Sequence, residues 1–240
     1  MVVKQNMIVA QITISRHHGC WASDTSFLFP TIKFLLFLHF IDSDHFEAGL
    51  KLIPQDEESK KSIPQVLLKI AGHNTWQDTS PEIKDNLYMV IIRDRGKTEG
   101  IIRSVLFEND IYFPMYQAMI IDKGKETIYA VFNGKKALIH LENELSARYG
   151  KRNVEITTLR EDVKDADIID FIPTWYDYCV EKPYADLIKA SIKSASMGMK
   201  LEESKLEQLK DFLLSHPEIV GLFLDNLNKM YDYLKKFFGS

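Results

Sequence analysis

The sequence predicts an α+β protein in which antiparallel sheet units are followed by a small helical bundle, and three observations carry that prediction. Ile101–Phe107, Tyr116–Asp122 and Thr127–Phe132 are short, rich in Ile, Val, Tyr and Phe, and separated by turn residues, the composition of strands. From Lys135 to Tyr149, Leu138, Leu141 and Leu145 recur at steps of three and four, the signature of a helix with one buried stripe. Beyond Pro183 the helical period is the only one present. Strands, one amphipathic helix and a closing strand make half of a sandwich with helices on one face of the sheet.

The elements follow in order. Met7–Ser15 alternates as a strand and leads into His17-His18-Gly19-Cys20-Trp21-Ala22-Ser23, a dense run of chemically able side chains. Phe27–Ile41 carries Pro30, Lys33 and His39, too short and too interrupted for a bilayer span, and reads as a buried strand with its approach. Ile32–Ile41 and Gly49–Ile53 are strands joined at Asp42-Ser43-Asp44. Gln55–Lys61 is charged and exposed. Ser62 caps a helix that has Pro64 in its first turn, Ile63, Val66, Leu67 and Ile70 as its apolar stripe, and Gly72 as its stop. Asn74–Asp85 is a polar loop and Leu87–Arg93 a strand. Asn133 caps the Lys135–Tyr149 helix, Glu144 and Arg148 stand at ion-pair spacing on it, Gly150 ends it, and Val154–Leu159 is the closing strand.

The order strands, helix, strand therefore occurs twice, which divides the chain into two ferredoxin-like-type units over residues 1–94 and 95–162. A connector, 163–182, brings Trp175, Tyr176 and Tyr178, which either line a ligand cleft or pack on the sheet. Residues 183–240 form the helical domain: Tyr184–Met197, Leu201–Leu214 and, after Ser215 as cap, Glu218–Phe238. The stripe Ile219, Phe223, Leu227, Met230, Leu234 and Phe237 serves either as bundle core or as the seam of a homodimer.

Composition narrows the function classes. A net charge of −4 argues against a generally basic nucleic-acid coat. Two cysteines are too few for a disulfide scaffold, and Met1–Gln11 lacks a signal peptide's apolar run, so the expected location is the cytoplasm, away from membranes. No nucleophile–base arrangement, glycine-rich cofactor fingerprint or metal-ligand pair at helical spacing is present, so neither catalysis nor a cofactor is expected. His17, His18, Cys20, Trp21 and Ser23 are the sensing candidates. A metal centre there would need further ligands such as His39, His45 or His73, a redox sensor would need a thiol of lowered pKa, and the plain alternative is a Cys–Trp pair packed at a strand end.

The His-x-Cys-Trp-x-Ser segment (His18, Cys20, Trp21, Ser23), the patterns at Gly100–Val105, Ile111–Pro114 and Gly124–Glu126, and a C-terminal tri-helical segment together resemble the archaeal bacterio-opsin-activator-like transcription regulators. The resemblance implies an N-terminal sensing domain that answers to a small-molecule effector, and a C-terminal helix-turn-helix that binds DNA. The nucleic-acid candidates it points to are Lys193, Lys200, Lys205, Lys210, His216, Asn226 and Lys229. The chain departs from the family pattern where the recognition helix would lie, Ser215–Asn228, which offers Glu218, Val220, Leu222, Leu224 and Asp225 instead of basic residues. From Pro183 onward eight lysines face eight carboxylates and there is no Arg, so the commonest guanine contact is missing. A dimeric interaction or small-molecule-binding protein without DNA contact is the alternative.

Overall fold

A computed structural model describes residues 7–15, 19–41, 45–73, 77–93, 111–114, 116–217 and Gly221. Ile101–Phe107 and nearly all of Glu218–Phe238, with His17, His18, Asn226 and Lys229, lie outside these. The elements are β1 (Met7–Ser15), α1 (Trp21–Leu28), β2 (Ile32–Ile41), β3 (His45–Pro54), α2 (Glu57–Lys60), α3 (Ile63–Ala71), β4 (Gln77–Thr79), β5 (Leu87–Arg93), β6 (Ile111–Tyr112), β7 (Met119–Asp122), β8 (Lys125–Asn133), α4 (Lys135–Tyr149), β9 (Val154–Val163), α5 (Tyr176–Cys179), α6 (Lys182–Ser196) and α7 (Glu203–Ser215), with 3₁₀ turns at Lys151–Asn153 and Asp165–Asp170.

The nine strands of the described residues join one antiparallel sheet in the order β4-β5-β3-β2-β7-β8-β1-β9, with β6 beside β8. β1 lies between β8 and β9, far along the sheet from β2. The sheet thus has two halves, and they meet where β2 pairs β7 through Phe34↔Ile121, Leu35↔Ile120 and Leu36↔Met119.

Strand alternation sorts the apolar residues onto two faces. Ile8, Ala10, Ile12 and Ile14 of β1 and Phe34 and Leu36 of β2 bury against Trp21 and Ala22 of α1, Ile63, Val66 and Ile70 of α3, and Ala137, Leu141 and Leu145 of α4. Val9, Leu35, Phe37, Tyr129 and Val131 face the other way, against Ile168, Ile172, Trp175, Tyr176, Ile188 and Phe212. Helices therefore cover both faces, not the one face that the sequence suggested. The physical reason is β2: Phe34-Leu35-Leu36-Phe37 is apolar at every position, so both sides of the sheet require cover.

Phe37 shows how tightly the second face is closed. It lies opposite Gly49 on β3, where an added Cβ would stand 1.9 Å from the Phe37 ring. Above it Trp175, itself without exposed surface, stacks at 4.7 Å with planes 16° apart. The ring is held between a backbone and an indole. The connector is tied down alongside: Trp175 N–H donates to Tyr116 O (3.1 Å) and Ala118 N–H to Pro173 O (2.8 Å). Buried Gln117 spans the backbone of Tyr129, giving its amide to the carbonyl (2.6 Å) and accepting from the N–H (2.7 Å). Trp175 and Tyr176 thus pack on the sheet, one of the two roles the sequence allowed.

Several local expectations differ in detail. Trp21–Leu28 is a helix where the sequence suggested a turn and a strand approach, because its buried residues Ser23, Thr25 and Ser26 are polar and leave no apolar stripe to read. Gly134 at φ 88°, not Asn133, stands at the N-terminus of α4, while Gly150 at φ 85° ends it as expected. Ser62 precedes α3 without a side-chain cap. Ser215 bonds back onto Asp211 O (2.7 Å) and closes α7.

Gly49→Ala is expected to lower stability by about 1–3 kcal/mol through overpacking, and Trp175→Ala by about 3–5 kcal/mol through the cavity it leaves. In urea unfolding followed by circular dichroism, the double variant should lose less than the sum, since removing the indole frees Phe37 to move away from the methyl added at position 49. Additive losses would mean that Gly49, Phe37 and Trp175 do not act as one stack.

Candidate functional site

The structure brings together two segments that the sequence singled out separately, Cys20–Ser23 and Gly124–Glu126. The β7–β8 hairpin turns at Lys123 (φ 53°) and Gly124 (φ 78°), which points the Gly124 backbone at α1. Ser23 donates its hydroxyl to Gly124 O (2.7 Å), and Ser26 Oγ accepts from Gly124 N–H (3.1 Å). Both serines are buried, so the two bonds satisfy groups that have no water to turn to. Trp21 is buried in the core beside them.

Cys20 stands at the N-cap of α1, half-buried, and its thiol donates to the carboxylate of Glu126, a residue only 3% exposed. Burial first, and then the Glu126 charge and hydrogen bond, push the Cys20 thiol well above the ordinary thiol range. The N–H groups of Ala22 and Ser23 pull the other way without offsetting this. A redox sensor needs the opposite, a stabilised thiolate. Tyr149, raised by burial, closes the cluster from the end of α4 and senses both Glu126 and Cys20. On the outer side of α1, Asp24 accepts from Gly19 N–H (3.1 Å) and lies 3.6 Å from His73 Nε2, which follows α3. Among the described residues no group of three or more His, Cys, Asp or Glu is placed to hold a metal. The other cysteine, Cys179, is pushed up by burial to about 12.

The nucleic-acid candidates are dispersed. Lys193 of α6 bonds Asp170 and pairs with Asp167 at 3.0 Å, and these carboxylates hold its ammonium above the usual lysine range. Lys205 pairs with Glu202 (3.1 Å) and Lys210 with Glu207 (3.6 Å). The His216 ring stacks on Phe212 (4.6 Å, 27°), which in turn stacks on Tyr184 of α6 (4.6 Å, 26°). His216 thus belongs to the joint between α6 and α7. Lys200 lies exposed in the turn between them.

Sequence reasoning missed Glu126 as the partner of Cys20 and Ser26 as the partner of Gly124. It also missed the Thr174–Asp177–Lys189 link. There Asp177 accepts from Thr174 N–H (2.8 Å) and hydroxyl (2.9 Å) and pairs with Lys189 (2.6 Å), fastening the connector to α6. The sequence carried no clear signal for Glu126, because its burial in Lys125–Asn133 follows from the packing of α1 and α4 on that strand. Among the described residues, open grooves of about 540 Å³ lie beside Lys51, Pro54, Lys60 and Glu82, and of about 380 Å³ beside Phe171, Pro173, Tyr178 and Lys189.

These features define an α+β protein with a latched N-terminal helix and a sheet covered on both sides. Compared with known proteins, the chain matches no protein-family model and no curated protein. Among the described residues no helix is long and apolar enough to cross a membrane.

Two measurements follow. At pH 8 the native chain should not react with a thiol-titrating disulfide reagent, and two thiols should react once urea unfolds it; one fast equivalent in the native state would make Cys20 a reactive thiol after all. Because the folded Cys20 keeps its proton above the pH at which the unfolded thiol ionises, about 8.5, its contribution is fully present below that pH. It is lost as pH rises further, since the folded state then holds more protons than the unfolded one. The urea midpoint should therefore fall between about pH 8.5 and 10, and fall less in Cys20→Ala.

Proposed function

We propose that the chain is a cytoplasmic, non-enzymatic regulator of transcription-regulator-like build. Residues 1–94 and 95–162 are its two ferredoxin-like-type units, joined in one sheet where β2 pairs β7 and where β1 lies between β8 and β9, as the sensing domain for an unidentified small-molecule effector. α6, the turn at Met197–Glu202 and α7 are the first part of a helix-turn-helix-like output module. The observation that carries this reading is the attachment of α6. Its Ala185 and Ile188 are buried against the second sheet face, and Lys189 and Lys193 hold it to the connector. A change on that face then changes how α7 is presented.

A second reading, an interaction or small-molecule-binding protein that makes no DNA contact, is favoured by the pairing of Lys193, Lys205 and Lys210 with nearby carboxylates. Non-specific DNA affinity depends on lysines free to neutralise phosphates.

Fluorescence anisotropy of the full chain on DNA from its own upstream region separates the two. The first reading expects micromolar binding that weakens steeply between about 50 and 200 mM salt. Absence of salt-sensitive binding at micromolar protein removes DNA from the proposal and leaves the second reading.

A further inference from the structure

The two edges of the sheet are unlike. β4 is a three-residue strand, but β9 runs ten residues from Val154 to Val163, pairs with β1 alone among the described strands, and lies at the end of the strand order. Glu155 and every residue from Thr157 to Asp162 are exposed. A long open edge is a template for another strand, and proteins normally guard it with charges or bulges. β9 carries guards toward its end: Glu161 with its pair Lys135 (3.2 Å), and Asp162 at φ 57°. Its middle, Ile156-Thr157-Thr158-Leu159, has no charge and three β-formers.

The register gives each side chain a face. Val154 and Ile156 oppose Ile14 and Ile12, whose side chains face α1 and α4, so Glu155 and Thr157 face the other way. Thr158 opposes Ala10 and Arg160 opposes Val9, and the shift between them leaves Leu159 as the extra residue of a bulge. Because of that bulge Arg160 returns to the face of Glu155 and Thr157, where its guanidinium lies 5.9 Å over the Phe171 ring. Without the bulge, Glu155 and Arg160 would stand on opposite faces.

We propose that β9 is a self-association edge whose occupant is β9 of a second copy, paired antiparallel about a two-fold axis through Thr157. With Leu159 skipped, Thr157 meets Thr157 of the second copy, Ile156 meets Thr158, and Glu155 meets Arg160. Each partner is on the same face, and the Glu155–Arg160 contact occurs twice. The edge is complementary to itself in charge and in face, which is what an isologous interface requires. Directly opposite charges of unlike sign stabilise such a ladder and like charges oppose it. This pairing holds whether or not the C-terminal helices touch DNA, and it is separate from any seam along residues 218–238.

Sedimentation velocity on the full chain tests it. Wild type should show a concentration-dependent dimer. Glu155→Arg, which sets Arg against Arg at both contacts, should weaken it by about tenfold. Arg160→Glu should do the same, and Glu155→Arg with Arg160→Glu should restore it, with thermal melts checking that each variant is folded. A chain that stays monomeric up to about 100 µM overturns the proposal, and so does a dimer that is indifferent to Glu155→Arg.

Discussion

The molecule depends on a narrow seam. Only three residue pairs of β2 and β7 join the two halves of the described sheet, and a ladder that short does not hold halves of four and five strands together unaided. The structure closes the seam from both sides. On one face α1 lies over it, touching β2, β7, β8 and α3, and Ser23 and Ser26 hold it to the hairpin at Gly124. On the other, Trp175 presses Phe37 of β2 onto Gly49 while its own N–H and the neighbouring Pro173 carbonyl bond the residues that enter β7. The same seam is thus bridged by an N-terminal helix and a C-terminal connector.

Seen from the seam, the Cys-Trp-x-Ser segment has a structural task for each member. Trp21 supplies the apolar weight of the latch and Ser23 its hydrogen bond. Cys20 donates a hydrogen bond to Glu126, a carboxylate buried beneath α1. An acidic side chain in that position would be costly without a donor. A thiol that stays protonated is a suitable donor, because it brings no second charge. The side chains that first suggested sensing also close α1 onto the sheet.

The regular parts of this arrangement were legible. Met7–Ser15, Ile32–Ile41, Leu87–Arg93 and Lys135–Tyr149 have the expected bounds, because the first alternates, the next two are short apolar runs and the last keeps a helical period. α1 was not legible, since a short helix that buries Ser23, Thr25 and Ser26 presents no apolar period. Nor was the second sheet face, although the unbroken Phe34–Phe37 run marks it in retrospect. For the candidate residues, the pairs Glu202–Lys205 and Glu207–Lys210 lie three apart and follow from spacing. Lys193 with Asp167 and Asp170 joins separate elements, and only the packing of α6 brings them together.

That packing also sets the direction in which any signal could travel. Trp175 is the first contact between the seam and the C-terminal part of the chain, and it abuts Tyr176 at 4.3 Å, the first residue of α5. Asp177 in the same helix holds Lys189 of α6, and Tyr184 of α6 stacks on Phe212 of α7. Each step is a ring contact or a paired charge. A ligand that altered the seam by an ångström would therefore be felt at α7, whereas one bound on the outer surface of α3 or α4 would have no such route. Coupling in this molecule is expected to begin at the Phe37–Trp175 stack, because there both halves of the sheet and the C-terminal helices share a contact.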